Sequence, residues 1–519
     1  MHDTLAASTQ QPQTDDKAEL AQPSVEGFAE TCRSLIEKGQ VREGLRMALE
    51  TVARYPDNSA LAMRAAALVG ELLSLHDIEV TILRGVTLRE PGNISAHVAL
   101  ANALVAAEDI VGGYAVFSDL MAKYPHLRTN LCEHISKAML DTGYAREAFE
   151  ILQLWVRQGL PSPALMNNIA CALVRLNRAD EAVPWYDKCL ELMPDSEDVR
   201  FSRALAQLKS GMLKEGFTGY ASRAPRTADM VWWFMDLPRL RYGDDVAGKK
   251  VILYQEQGLG DTIHFIRLVT VLLEQGADVT LVVPRSLTRL LSLSYPNVTV
   301  YERDTFPQED GYSYAAPIPD LPFIAGIATY ADIPAPIPYL RADPADVARY
   351  AALLPAARPR IGLVWGGDRR VKREDVQADK RRSVTLKEIG EALTPVDATL
   401  VNLQLGYPKG ELAQWTGQPI FDLMDDVRDM ADTAAIMENL DLVISVDTSP
   451  LHLAGALGRP VWLANRPDSC WRWGNDGLES PWYPTLRIFR ARERSFLPML
   501  RDVGAALQVW RRDWTPGAS

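Results

Sequence analysis

The first half of the chain repeats one pattern of small and apolar residues at helical spacing. In its clearest copy, from Met166 to Pro194, Ala170 and Ala182 stand in two successive helical stretches, where small side chains let two helices approach closely. Tyr186 is placed to fill the space between the helices, and the proline ends the second one. Each copy therefore predicts a helical hairpin.

The prolines that close the hairpins set the period of the repeat. They are separated by 35, 34 and 69 residues, and one hairpin lacks its closing proline at Leu160. A period of this length is that of tetratricopeptide repeats, whose stacked hairpins bury a continuous core. We predict roughly six hairpins from about Val25 to about Arg223, with a groove that binds a protein partner or acceptor, or a surface that only scaffolds. The closing prolines are Pro56, Pro91, Pro125 and Pro194.

After Gly248 the pattern changes to short apolar runs separated by helical stretches. Lys250–Tyr254, a glycine turn, a helix over Asp261–Glu274 and the strand Asp278–Val283 form a βαβ unit. A second lobe follows, and two such lobes leave a cleft between the carboxyl ends of their strands, where ligands bind in α/β folds. Its predicted strands are Arg360–Trp365, Ala398–Leu403, Asp441–Val446 and Pro460–Leu463.

These patterns predict an α + α/β chain, with an α-solenoid followed by a pair of Rossmann-like lobes. We predict a disordered polar tail over residues 1–23, repeats over 24–225, a first lobe over 226–345 and a second over 346–519. The apolar run Val231–Pro238 is interpreted as packing the repeats against the next domain rather than as a membrane-surface anchor, because it is short and has few basic neighbours.

The composition argues against nucleic acid and a membrane as binding partners. A formal net charge of −12 opposes non-specific binding of nucleic acid, and no apolar run reaches the length of a membrane span. Five scattered cysteines without a Cys-x-x-Cys pair indicate neither zinc nor disulfide chemistry and fit a reducing cytoplasm. We therefore expect a soluble cytoplasmic protein without a bound metal.

One candidate site is the turn from Gln257 to His264. Gly258 and Gly260 allow the backbone to approach a ligand, and Asp261 stands where a helix dipole stabilises a carboxylate. Asp261 could accept a proton from a hydroxyl group, or could be a first-turn carboxylate without a catalytic role. His264 could contact substrate or be a hydrogen-bonded helix residue.

A second candidate turn runs from Asp447 to Ala456. Thr448 or Ser449 suits a helix cap, and the amides at that helix start favour a diphosphate, to which His452 could add a donor. Any strand-to-helix turn needs a cap, however, so capping alone does not indicate a ligand.

The segment from Gly366 to Ser383 carries seven basic residues among four acidic ones. Such runs are usually solvated loops. Placed beside the helix that begins near Thr448, Lys380 or Arg382 could instead neutralise the phosphates of a leaving nucleotide.

At these motifs the chain resembles heptosyltransferase-like glycosyltransferases of the GT-B fold, in the form fused behind tetratricopeptide repeats. The motifs are Gln257-Gly-Leu-Gly-Asp-Thr-Ile-His-Phe265, Val364-Trp-Gly-Gly367 with Arg382-Ser383, and the stretch from Ser445 to Pro460. The resemblance implies inverting, metal-independent transfer from a nucleotide sugar, with Asp261 as general base and no further cofactor. It places the donor near Thr448, Ser449, His452 and Arg382.

Proteins with a similar layout modify proteins such as flagellins and surface adhesins, so the resemblance implies a protein hydroxyl as acceptor. A lipopolysaccharide or exopolysaccharide transferase is the alternative within enzymes. A repeat scaffold without catalysis is the alternative outside them, although such a scaffold would need neither Asp261 nor His452.

Overall fold

A computed structural model describes residues 23–159, 162–224, 232–334, 337–368 and 379–516. Most of the polar tail, Leu160 and residues 369–378 of the basic segment lie outside these ranges, so the expectations for them stay predictions. The chain divides into two compact units, Met1–Leu120 and Met121–Ser519. Among the described residues, the search for an apolar helix of membrane-spanning length finds none.

Helices follow one another in antiparallel pairs through the first part of both units. The first unit holds α1 to α5 and most of α6, and the second begins with the remainder of α6 and continues through α12. This confirms the predicted helical repeat. The helices are α1 Val25–Glu37, α2 Val41–Arg54, α3 Ser59–Leu73, α4 His76–Arg89, α5 Ile94–Ala106, α6 Ile110–Lys123, α7 Arg128–Asp141, α8 Ala145–Arg157, α9 Pro163–Arg175, α10 Ala179–Leu192, α11 Glu197–Lys209 and α12 Leu213–Ala221.

Small residues at one position explain how the two helices of a hairpin come together. The fourth residue of α2, α6 and α12 is Gly44, Gly113 and Gly216, and that of α8 and α10 is alanine. A methyl group on any of these glycines would stand only 2.6 to 2.7 Å from a side chain of the preceding helix. These five hairpins therefore close by removing side-chain volume at this point, whereas α4 has Glu79 there and Gly70 of α3 leaves room for its side chain.

The first lobe is a parallel sheet with helices. Its strands are ordered β3-β2-β1-β4, so the chain reverses direction across the sheet between β1 and β4. Its elements are β1 Lys250–Tyr254, α13 Leu259–Phe265, α14 Val269–Glu274, β2 Asp278–Val283, α15 Arg285–Ser294, β3 Thr299–Glu302, β4 Tyr312–Pro317 and α16 Leu321–Ile324.

The second lobe is a six-stranded parallel sheet ordered β10-β9-β8-β5-β6-β7. Its order reverses between β5 and β8, and in such sheets the crevice outside the carboxyl ends at the reversal is where ligands bind. Its elements, after the linking helix α17 Pro344–Leu353, are β5 Arg360–Val364, α18 Leu386–Leu393, β6 Thr399–Asn402, β7 Ile420–Asp422, α19 Met430–Met437, β8 Leu442–Ser445, α20 Ser449–Ala456, β9 Val461–Asn465, β10 Leu486–Arg490 and α21 Leu497–Asp513.

Two local expectations differ from the structure. The helix predicted over Asp261–Glu274 is interrupted by a 3₁₀ turn at Ile266–Leu268, where buried Arg267 donates to the carbonyl of His264. In the apolar run Val231–Pro238, Phe234 packs with Ile252 of β1 on the sheet of the first lobe rather than on the repeats. The apolar residues among 232–238 are therefore part of that lobe's core, and Val231 lies outside the described residues.

Candidate active site

A cavity of about 580 Å³ lies between the carboxyl ends of the two sheets. Its size is typical of small-molecule sites. The turn after β1 lines one side, and the turns after β5, β6, β8 and β9 line the other. Nine residues predicted from the sequence line it together: Gly258, Gly260, Asp261, Gly366, Arg382, Asp447, Thr448, Ser449 and His452.

Asp261 is the carboxylate on the first-lobe side of the cavity. It stands in the first turn of α13, where Oδ2 accepts a hydrogen bond from the Gly258 amide at 3.0 Å. Oδ1 accepts from Nη2 of Arg472 at 2.5 Å, and the side chain remains 25% exposed. Since each carboxylate oxygen has two lone pairs, both can still accept a proton or a hydrogen bond from a ligand.

Helix α20 begins at the opposite wall, directly after the end of β8. Thr448 occupies its cap position but makes no side-chain hydrogen bond to the helix, and its hydroxyl donates back to the carbonyl of Val446 at 3.2 Å. Pro450 is in the first turn and has no amide hydrogen to satisfy. The start of this helix therefore faces the cavity with its positive dipole end uncapped by a side chain.

Gly260 brings the two walls together. A methyl group at Gly260 would stand 2.9 Å from Cδ2 of His452 and 3.5 Å from Cα of Ser449. The sequence predicts that Gly260 lets the backbone approach a ligand. In the structure this glycine lets α13 and α20 approach each other.

The turn after β5 is held by a side chain from the turn after β6, the next strand along the chain. Oε1 of Gln404 accepts from the amides of Trp365 and Gly366 at 3.0 and 2.9 Å, and its Nε2 donates to the Gly366 carbonyl. A methyl on neighbouring Gly367 would stand 2.5 Å from Nη2 of Arg382, which is paired with Asp379. Gly367 therefore leaves room for the guanidinium group of Arg382.

Two arginines that the sequence motifs missed also line the cavity. Arg466 follows the end of β9 and is 3.5 Å from Asp468, and Arg472 follows in the next turn. Burial is the largest single influence on Arg472 and opposes its charge, but the raising contributions of Asp261, Cys470 and Tyr220 together exceed it, so the pKa of the guanidinium lies above its ordinary value. Arg466 could have been suspected because it directly follows a strand of the same sheet edge, whereas no local pattern marks Arg472.

His264 and Lys380 are predicted residues that the structure does not place on the cavity wall. His264 is 1% exposed and lies behind it, with Nδ1 at 3.0 Å from the hydroxyl of Tyr483. Lys380 is exposed, while its neighbours Arg381 and Arg382 turn toward Asp468 and toward the cavity.

Both histidines near the cavity are uncharged. Burial, with the charge of Arg472 as the next contribution, lowers the pKa of His452 to about 3, although Asp261 partly offsets this. Burial also holds the pKa of His264 well below its ordinary value. Each imidazole therefore carries one proton at neutral pH, on a nitrogen set by its hydrogen-bond partners.

The last repeat helix, α12, and the residue Arg223 just after it contact the surroundings of this site directly. The Tyr220 hydroxyl donates to Oε1 of Gln257 at 2.6 Å, next to the turn that carries Asp261, and Arg223 pairs with buried Glu256 and with Asp320. Phe217 packs edge-on against Trp471 and Trp482, with ring centroids 5.9 and 6.4 Å apart.

Lys209 forms a further link between the repeats and the second lobe. Its buried ammonium group donates to the carbonyls of Val174 and Ser469 at 2.8 and 2.7 Å. Burial lowers its pKa to about 7, an effect that nearby Asp468 partly opposes.

Among the described residues, no three His, Cys, Asp or Glu side chains are grouped as metal ligands.

The chain is similar to a curated protein sequence and to several solved structures. It is 27% identical over 443 residues to Protein FlbA of Caulobacter vibrioides, and the match covers 72% of each chain. No family model matches.

Among solved structures, the chain is similar to E. coli ADP-heptose lps heptosyltransferase II, with 14% identity, a TM-score of 0.35 and coverage of 51% of this chain and 99% of that one. It is also similar to yeast Tom70, with 17% identity and a TM-score of 0.30, over 38% of this chain and 42% of that one. The match thus spans less than half of the Tom70 chain.

Proposed function

We propose that the chain is a glycosyltransferase that moves a sugar from a nucleotide-sugar donor to an acceptor hydroxyl, by inverting displacement. One observation carries the proposal: Asp261 of one lobe and the start of α20 in the other line a single cavity at the sheet reversal of the second lobe. The cavity thus offers a proton acceptor opposite a site for negative charge.

In the proposed reaction, Asp261 takes the proton of the acceptor hydroxyl as its oxygen bonds to the anomeric carbon. The bond from that carbon to the diphosphate breaks, and the nucleoside diphosphate leaves with the electron pair. The developing negative charge is stabilised by Arg382, Arg466 and the amides at the start of α20, which line the cavity. Electrostatic stabilisation of this kind is usually the largest single contribution to the rate acceleration. We assign no step to a metal ion or to a cofactor.

Arg472 acts on the base in this proposal. Its bond to Oδ1 fixes the orientation of the Asp261 carboxylate, and Gly258 fixes the other oxygen. Positioning a catalytic group in this way lowers the entropy that the reaction must lose.

We further propose a protein hydroxyl as the acceptor, on flagellin or another surface protein. The support is the direct bonding of the last repeat hairpin to the turn that carries Asp261, through Tyr220 and Arg223. A protein held by the repeats would then be held next to the base. We also propose that the domain limits are those predicted from the sequence and that the reaction takes place in the cytoplasm.

The test is protein mass spectrometry of surface proteins, flagellin included, from cells that carry the native chain, Asp261→Asn or the control Asp278→Asn. Asp278 is an exposed carboxylate at the start of β2, away from the cavity-lining residues. We expect a glycan mass to disappear with Asp261→Asn alone, since loss of a general base slows reactions roughly 10²- to 10⁴-fold.

Circular dichroism must show that both variants are folded. Protein glycan masses unchanged by Asp261→Asn, together with altered lipopolysaccharide or exopolysaccharide, would contradict the protein acceptor. If a folded Asp261→Asn variant changed neither, the scaffold function would replace catalysis.

A further inference from the structure

Behind the cavity, two buried imidazoles share one phenolic hydroxyl. Nδ1 of His264 and Nδ1 of His452 each lie 3.0 Å from the hydroxyl oxygen of Tyr483. All three side chains are buried, and they come from α13, from α20 and from the chain before β10. A single hydroxyl has one proton and can therefore donate to no more than one of the two rings, so at least one ring must donate to it.

The surroundings of His264 decide which ring donates. Its Nε2 is buried and has no hydrogen-bond partner among the described residues. The ring lies against aromatic side chains, with the centroid of Trp482 at 4.6 Å and that of Trp471 at 6.2 Å. An unpaired acceptor nitrogen is tolerated better there than an unpaired N–H, because buried orphan donors are the rarer and costlier case. The proton of His264 therefore belongs on Nδ1, where Tyr483 accepts it.

The surroundings of His452 point to the same assignment independently. Its Nε2 faces Oδ1 of Asp447 at 3.9 Å, and a carboxylate at that distance attracts an N–H rather than a lone pair. With His264 donating to Tyr483, the hydroxyl proton of Tyr483 goes to Nδ1 of His452. The remaining ring proton of His452 is then on Nε2.

We propose that Tyr483 and His264 are positioning residues that fix His452 as the Nε2–H tautomer, so that it presents an uncharged donor to a diphosphate oxygen of the nucleotide sugar. The identity of the ligand in this inference rests on the proposed function, whereas the assignment of the tautomers does not. Burial and the charges of Arg472 and Arg267 keep both rings neutral, which supports a fixed tautomer rather than an imidazolium. The stack of His452 on Trp473, at 5.6 Å and 22°, holds the ring plane.

The first measurement is the tautomer of each ring in the full-length chain labelled with ¹⁵N-histidine. The chain has seven histidines, and His264→Gln and His452→Gln variants assign the two of interest. Two-bond ¹H–¹⁵N correlation distinguishes a protonated ring nitrogen from an unprotonated one. We expect His452 to be protonated on Nε2 and His264 on Nδ1. Any other pair of tautomers would overturn the proposal.

The second measurement compares Tyr483→Phe with Tyr339→Phe. The Tyr339 hydroxyl lies 3.4 Å from that of Tyr483 and donates to the Ile263 carbonyl, but no hydrogen bond joins it to either imidazole. It is therefore a matched control for loss of a neighbouring phenolic hydroxyl. In Tyr483→Phe we expect His452 to keep its Nε2 proton, because Asp447 still faces that nitrogen, but we expect the ¹⁵N chemical shift of its Nδ1 to move toward that of an acceptor without a donor. In Tyr339→Phe we expect that shift to stay at its native value.

Affinity for ADP, GDP, UDP and CDP is measured by titration calorimetry on the same chains. For the nucleotide that binds most tightly, we expect Tyr483→Phe to lose about fivefold, the share of one neutral hydrogen bond. An unchanged Nδ1 shift of His452 or an unchanged affinity in Tyr483→Phe would overturn the positioning role, and if that variant fails to fold the native spectrum still decides. If no nucleotide binds the native chain, the proposed function fails while the tautomer assignment is judged by the spectrum.

Discussion

Replacing Gly260 with alanine tests whether the cavity depends on the close approach of α13 to α20. The new methyl group would stand 2.9 Å from Cδ2 of His452. Carbon atoms in contact are normally about 3.5 Å or more apart, so the imidazole must move by about 0.6 Å. It cannot do so freely, because Nδ1 is bonded to Tyr483 and the ring is stacked on Trp473.

Two opposing contributions set the change in the free energy of unfolding that Gly260→Ala causes. Overpacking of a buried contact costs about 1–3 kcal/mol, whereas alanine in a helix is favoured over glycine by up to about 1 kcal/mol. We expect a net loss of roughly 0–2 kcal/mol in stability. The loss in nucleotide affinity should be clearer, about fivefold, since the displaced His452 no longer donates with good geometry.

Urea unfolding measures the first quantity and calorimetric titration of nucleoside diphosphates the second. Gly410→Ala is the control, since among the described residues nothing lies within 4 Å of a methyl group added at Gly410. Equal nucleotide affinity in the Gly260 and Gly410 variants would refute the reasoning, because the two walls would then not need the glycine.

Three further predictions concern the surroundings of the cavity. Gly367→Ala should leave urea unfolding nearly unchanged but lower nucleotide affinity in calorimetry, because a methyl there displaces only the flexible end of Arg382. The pKa of Lys209 in the folded chain, about 7, lies below its unfolded value of about 10.4, so the unfolded state binds more protons between these values. The melting temperature should therefore rise from about pH 7 to about pH 9 in the native chain and rise less in Lys209→Met, and equal slopes would contradict this. Tyr220→Phe should slow transfer to a protein acceptor about fivefold without changing donor hydrolysis by water, because it removes only the bond to Gln257. A radiolabelled-donor assay measures both rates, and a parallel loss of both would refute the separation.

The parts of the fold that the sequence predicts best have strong, regular patterns. β1 and β2 fall on the predicted residues because each is a mostly apolar, β-branched-rich run that is buried along nearly its whole length. β3 was not predicted, since Thr299–Glu302 is only half-buried and carries no such run. Short edge strands depend on pairing with a neighbour, which a local pattern does not encode.

The candidate site was predictable to the extent that it follows strand ends. Asp261 and Thr448 are far apart in the chain, and the rule that parallel strands end at one edge brings each to the cleft. Arg472 was not predictable in this way, because its bond to Asp261 joins residues 211 positions apart and neither lies in a pattern that names the other. The same holds for Tyr483, which meets His264 and His452 only in the fold.

The contact between Phe217 and the tryptophans of the second lobe has a practical consequence for recombinant work. A truncated chain that begins after the last repeat helix would uncover Trp471 and Trp482 and leave buried Glu256 without Arg223. Newly exposed aromatic surface and the loss of a buried ion pair both favour aggregation and loss of yield. The two lobes should therefore be expressed together with α11 and α12, and exchanging repeat arrays between chains of this layout should succeed only upstream of that hairpin.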